Sequence, residues 1–245
     1  MIIAPRCAAC ACVLDTPLAG PICGACWRQV RILAAPFCRT CGDSLPSWRI
    51  ISVALEQCSR CRRAEGAVDA ARAAGAYEGS LRAILHAFKY EGRRVLAGPL
   101  AAMMRAAGAD ILVGADWIVP VPLHPWRRMR RGFNQADDLA WRLDAPMLRA
   151  LWRARATSAQ TGLNAAARRR NVRRAFGLSP FLSHARRQRL LKDRIVVLVD
   201  GVRTTGAALE ACAAVLKDAG VGEVRALTVA RVALPLARVR VGTAS

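Results

Sequence analysis

Apolar residues along this chain follow two rhythms. Over residues 79–90 they fall at Leu81, Ile84, Leu85 and Phe88, the three-and-four spacing of a helix with one face turned to a core. Residues 95–107 predict a second helix. Between these stand short, solid apolar blocks at 71–77, 117–121, 147–152, 195–199 and 224–229. Each is too short for a helix and reads as a buried strand. Pro122 and Pro125 prevent an early helix start, and Asn134 caps the helix that carries Ala136, Leu139, Ala140 and Leu143. A last helix is predicted over 205–219, with Gly220 as its stop. Strands alternating with helices predict an α/β protein with a mostly parallel, doubly wound sheet and helices on both faces. Residues 154–163 and 178–192 show neither rhythm and read as polar loops, the first of them long enough to serve as a lid.

The first sixty-odd residues lack this patterning and carry cysteines instead. Four CxxC pairs stand in order, Cys7/Cys10, Cys23/Cys26, Cys38/Cys41 and Cys58/Cys61. Two such knuckles supply the four thiolates of a tetrahedral zinc site, so the spacing predicts two structural zinc ions. Sequential pairing of the knuckles and an interleaved cross-brace both fit the spacing, and Cys12 competes with Cys7 or Cys10. A segment with so little apolar content needs metal to hold it. The expected organisation is a double zinc ribbon over 1–66, an α/β domain over 67–236 and a loose tail over 237–245.

Composition narrows the setting. No stretch reaches the ~18 apolar residues of a membrane span, and the start lacks the charged and apolar regions of a secretory signal. Paired cysteines without such a signal point to a reducing cytoplasm. The formal net charge is +21. Residues 121–194 hold 18 Lys or Arg against 4 Asp or Glu, so most of the excess sits in one segment. A polyanion or a multiply phosphorylated ligand is the expected visitor.

Candidate chemistry centres on Asp200-Gly201-Val202-Arg203-Thr204-Thr205-Gly206-Ala207-Ala208. A strand that ends at an acidic residue, turns through Thr-Thr-Gly and enters a helix points several backbone N–H groups at one place, where the helix dipole also favours an anion. A Walker loop would place Lys and Ser or Thr after the last glycine, and Ala207 and Ala208 stand there instead. A monophosphate seat beside a carboxylate that can accept from sugar hydroxyls implies a ribose 5-phosphate group.

The run 198–206 resembles the phosphoribosyl pyrophosphate (PRPP) motif of type I phosphoribosyltransferases. With LRAILHAFKYEG at 81–92, VPVPLHPWRRMRRGFNQA at 119–136 and the spacing of Thr157, Gln160, Leu163, Arg168 and Asn171 before Phe176, nearly the whole chain is similar to the ComF competence family. The resemblance implies a zinc ribbon joined to a type I phosphoribosyltransferase-like domain. It implies a 5-phosphate on the amides of Arg203, Thr204, Thr205, Gly206 and Ala207, ribose against Asp200, and a pyrophosphate loop at Val121, Pro122, Leu123 and His124 flanked by Arg127, Arg128 and Arg131. Lys89 and the hood residues Arg155, Thr157, Gln160 and Arg168 complete the cage, with Asp200, Arg131, Arg168 and Lys89 as the catalytic candidates and Mg2+ accompanying PRPP. Homodimers are common among relatives with hoods.

This chain departs from the family at Gly201, where a second acidic residue is usual, and at Arg203, where a small or apolar residue is common. Losing one charge-assisted bond to a ribose hydroxyl costs about 1.5–3 kcal/mol. Two functions fit: transfer of phosphoribosyl to an amine or base, and an accessory factor that binds single-stranded DNA on the same scaffold alongside competence proteins. Simpler readings accompany several residues. Asp200 and the threonines suit a plain strand-to-helix turn, Arg168 to Arg174 a solvated helix face, His124 a loop spacer, Cys212 a small buried thiol, and Trp126 core packing at its helix start in preference to base stacking.

Overall fold

The computed structural model describes residues 4–45, 57–63, 66–124, 126, 129, 131–153 and 175–232. In chain order its elements are α1 (Gly24–Arg28), α2 (Ser59–Arg63), β1 (Ala70–Ala76), α3 (Gly79–Tyr90), α4 (Ala97–Ala107), α5 (Ala109–Leu112) and β2 (Trp117–Pro120). They continue with α6 (Gln135–Ala140), β3 (Leu151–Arg153), β4 (Phe176–Leu178), α7 (His184–Leu191), β5 (Ile195–Arg203), α8 (Ala207–Asp218) and β6 (Glu223–Arg231). Four strands form a parallel sheet in the order β1-β6-β5-β2, while β3 and β4 form a separate antiparallel pair.

Strand β5 shows why its apolar block is solid. Val197 and Val199 join Leu227 and Val229 of β6 on one face, where Leu81, Ile84, Leu85 and Phe88 of α3, Met104 of α4 and Leu139 of α6 cover them. Val196 and Leu198 face the other way, into Leu209, Cys212 and Leu216 of α8 and Leu191 of α7. A strand buried on both faces leaves no polar alternation to read. Each fully buried side chain of this size contributes about 1.5–3 kcal/mol, which makes the two faces the source of the fold's stability. The predicted helices on both faces of a parallel sheet are thus observed.

Both outer strands have company. The ribbon's Leu33 N–H donates to Ala74 O at 3.1 Å and Ala76 N–H donates to Arg31 O at 2.9 Å, so residues 31–33 lie antiparallel along β1. On the far side, Ile118 N–H donates to Pro146 O at 2.8 Å and Leu148 N–H to Ile118 O at 2.9 Å. Cys7, Leu14, Ile22, Cys26 and Val30 of the ribbon are buried in the same cluster as α3.

Three sequence expectations change. The strand predicted over 195–199 continues to Arg203, because β6 runs alongside and pairs Asp200 with Thr228, Val202 with Ala230 and Arg203 with Arg231. The stretch 178–192, expected to be a loop, contains the end of β4 and all of α7. Ser183 caps that helix by accepting from Arg186 N–H at 3.4 Å, and among its residues only Leu191 is fully buried, too little to print a helical rhythm. The strand expected over 147–152 divides, Met147 bridging β2 and residues 151–153 turning into β3. Among the described residues no helix is long and apolar enough to cross a membrane.

Candidate functional site

The cysteines form two sets, Cys7, Cys10, Cys23 and Cys26, then Cys38, Cys41, Cys58 and Cys61, with the Sγ atoms of each set all within 4.8 Å of one another. Knuckles therefore pair sequentially and not as an interleaved cross-brace. Sulfur separations of 3.9 Å for Cys7–Cys26, 3.7 Å for Cys10–Cys23 and 3.6 Å for Cys41–Cys58 fit zinc. A tetrahedron with zinc–sulfur bonds of about 2.3 Å has edges of about 3.8 Å. Backbone amides support the sulfurs: Cys23 N–H donates to Cys7 Sγ and Cys58 N–H to Cys38 Sγ, both at 3.3 Å. A hydrogen bond from Cys41 is the main reason the Cys38 thiol is held down at about 4, and the same bond pushes Cys41 up. A bound zinc would replace that shared proton. Cys12 lies 3.3 Å from Cys10 but outside the tetrad.

The second tetrad is joined to the end of β5. Cys41 O accepts from the Arg203 guanidinium at 2.5 Å and from Arg231 at 3.1 Å, and Arg231 also pairs with Asp43. A side chain at Gly42 would stand 2.3 Å from Ala71 O, so the ribbon backbone lies directly against β1. Arg203, unusual for its position, thus turns its side chain to the ribbon while its backbone enters the turn.

In that turn Gly206 has φ +81° and caps α8. Ala207 N–H donates to Thr205 Oγ1 at 3.3 Å, so this amide, expected in the phosphate seat, is already occupied. The amides of Thr204, Thr205 and Gly206 have no protein acceptor among the described residues. Together with the start of the twelve-residue α8 they form the anion-seeking corner.

Asp200 stands beside it on β5 and accepts from Gly201 N–H at 2.6 Å. Burial pushes its carboxyl above the ordinary range, and Lys89, Arg153 and Arg131 act in the other direction. Burial in turn pushes the Lys89 ammonium down, Asp200 opposing and Arg131 adding to the shift. Arg131 donates to Gln135 Oε1 at 3.1 Å, Gln135 Nε2 donates to Lys89 O at 3.4 Å, and the Arg131 guanidinium lies 4.7 Å from the Tyr90 ring centre. Asp200, Lys89 and Arg131, three of the four catalytic candidates, therefore gather at one place.

The segment expected as a pyrophosphate loop, 121–124, follows directly on β2. Val121 is buried, its N–H donating to Val199 O at 2.9 Å and its carbonyl accepting from Asn134 at 3.4 Å. Pro122, Leu123 and His124 are half-buried, and His124 Nδ1 accepts from Trp126 N–H at 3.3 Å, a local turn bond. Trp126 itself is exposed, not a core residue. Arg168, the hood residues Arg155, Thr157, Gln160, Leu163 and Asn171, the flanking Arg127 and Arg128, and the tail 237–245 lie outside the described residues. Gln135 and Arg153 join the cluster without having been singled out. Gln135 follows the cap Asn134 and was visible in the FNQA run, whereas Arg153 arrives only through the β3–β4 pairing.

A double zinc ribbon domain model matches residues 1–64. Competence protein F of Haemophilus influenzae is 31% identical over 220 residues, covering 86% of this chain and 90% of that protein. DNA utilization protein YhgH of Salmonella typhimurium is 30% identical over 223 residues, covering 83% and 87%, and YhgH of Escherichia coli K12 is 30% identical over 218. Solved structures overlay loosely. The allosteric regulatory enzyme of purine biosynthesis has a TM-score of 0.35 at 19% identity, over 55% of this chain and 25% of that one. Orotate phosphoribosyltransferase from Aeropyrum pernix has a TM-score of 0.32 at 19% identity, over 61% and 76%.

Two cysteine tetrads leading into a parallel sheet with helices on both faces define a zinc-ribbon protein with an α/β domain. Within that class, the chain belongs to the Competence protein F, or ComF, family.

Proposed function

We propose that this chain binds PRPP or a ribonucleotide 5-phosphate at the turn after β5 and acts in the handling of incoming DNA. One observation carries the reading: the amides of Thr204, Thr205 and Gly206, without an acceptor among the described residues, lead into the start of α8 close to a carboxylate, Asp200, that Lys89 and Arg131 act on. The 5-phosphate takes the amides and the ribose hydroxyls donate to Asp200. If phosphoribosyl is transferred, the anomeric C–O bond breaks, pyrophosphate departs with the electron pair, and Lys89, Arg131 and Arg153 offset its negative charge. The attacking group is an amine or a base. Thiols kept as tetrads suit a cytoplasmic setting.

Calorimetry with PRPP on wild type and Asp200→Ala tests this. Wild type should bind, and the variant should bind about tenfold to hundredfold more weakly, the equivalent of about 1.5–3 kcal/mol. Absence of heat from wild type both with and without MgCl2 would overturn the reading.

A second reading, single-stranded DNA binding, is favoured by the excess of 18 basic over 4 acidic residues in 121–194 and by the exposed Trp126 near Arg131 in sequence. Filter binding of labelled single strands should weaken steeply as salt rises, since phosphate contacts release counterions. Binding that ignores salt counts against it. Competence proteins and a second copy of the chain are the proposed protein partners.

Magnesium, expected to accompany PRPP, meets few protein oxygens and several cations here. Mg2+ requires an octahedron of oxygens. Among the described residues the cluster offers one carboxylate, already accepting from Gly201 N–H, beside Lys89, Arg131 and Arg153.

A further inference from the structure

We infer that this pocket binds PRPP without a divalent metal, the Lys89 ammonium occupying the place from which a second carboxylate would act; the inference rests on the phosphoribosyl reading above. Gly201 decides the matter sterically. A Cβ added there would lie 3.2 Å from Lys89 Cε and 3.6 Å from its Nζ. The lysine head therefore packs directly against the position of the missing side chain, and a positive charge stands beside the place where a negative one is usual.

Lys89 is held at that spot by its surroundings. It sits in the last turn of α3, its carbonyl accepts from Gln135, and Gln135 in turn accepts from Arg131, whose guanidinium rests on Tyr90. Two cations are thus fixed on one scaffold, with Arg153 acting on Asp200 from β3. Among the described residues one carboxylate stands with three cations there, a balance that disfavours Mg2+ and attracts the oxygens of a pyrophosphate, which ammonium and guanidinium groups bind through charge-assisted hydrogen bonds. The carboxylates of the neighbouring α6 are committed elsewhere: Asp137 pairs with Arg149, and Asp138 accepts from Arg94 at 2.7 Å on both oxygens.

The inference also explains why Gly201 persists beside an otherwise complete turn. The glycine is one half of an exchange in which Lys89 is the other half. Direct cation contacts take over the neutralising role of a metal.

The test is calorimetry of PRPP with the zinc-loaded full chain at constant ionic strength, MgCl2 being replaced by NaCl and no chelator added. Wild-type affinity should differ by less than about threefold between the two salts. Lys89→Met should weaken metal-free binding by more than about tenfold, with zinc content and melting temperature unchanged as controls. Gly201→Ala keeps every charge and only crowds the lysine head, so it should weaken metal-free binding several-fold even if the Lys89 variant fails to fold. Gly201→Asp should lose metal-free binding and regain it with Mg2+. If wild type binds PRPP only with Mg2+, the metal-free inference fails and the phosphoribosyl reading stands. If it binds under neither condition, both fall.

Discussion

At the scale of single residues the site is a balance of charges held partly out of water. Burial pushes the Lys89 ammonium down, Asp200 opposes that shift and Arg131 reinforces it. Because only the protonated amine attracts a phosphate, PRPP affinity should fall as pH rises through the lowered range of Lys89, below that of an ordinary lysine. Lys89→Arg should remove the alkaline fall, since guanidinium stays charged, and binding curves at several pH values check both. Gly206 gives a second residue-level outcome. At φ +81°, with Arg203 Nε 3.1 Å from the place of a Cβ, Gly206→Ala is strained both by backbone and by contact. It should cost about 1–2 kcal/mol, measurable in urea unfolding, and weaken PRPP binding as well. Asp200 and the Thr-Thr-Gly turn were legible in the sequence because each residue type has its own backbone consequence. The pairing of Lys89 with Gly201 was not, since an absent side chain says nothing of what fills its place.

At the scale of elements, β5 does two jobs. Its first half is core, and its second half carries the site toward the ribbon, with the Arg203 side chain on Cys41 O. Arg203→Ala removes one of the two guanidinium donors to that carbonyl and should cost about 1–2 kcal/mol. Its distinguishing sign is faster loss of one zinc to a colorimetric chelator, from the tetrad of Cys38, Cys41, Cys58 and Cys61, while the other zinc leaves at the wild-type rate. Equal acceleration at both tetrads would refute a local joint. The parallel sheet and the helices 79–90 and 207–218 could be read in advance because burial writes its period into the sequence. The second half of β5 could not, since Asp200, Gly201 and Arg203 interrupt the apolar run, and α7 could not, since Leu191 alone anchors it fully. Tetrad membership needed folding as well, because CxxC spacing is equally compatible with either pairing.

At the scale of the whole molecule the ribbon is part of the core's wall. Cys7, Leu14, Ile22, Cys26 and Val30 share a cluster with Leu81, Ile84 and Phe88. Removing zinc should therefore do more than unfold residues 1–64: dye binding to exposed apolar surface should rise and the melting temperature of the α/β part should drop by several degrees. An unchanged melt after complete metal removal would contradict this coupling. The two flanking segments along the sheet carry a further meaning. With Arg31 and Leu33 bonded to Ala74 and Ala76 of β1, and Pro146 and Leu148 bonded to Ile118 of β2, the groups at these positions on either side of the sheet are already paired. A second copy of the chain therefore cannot extend the four-stranded sheet through those residues.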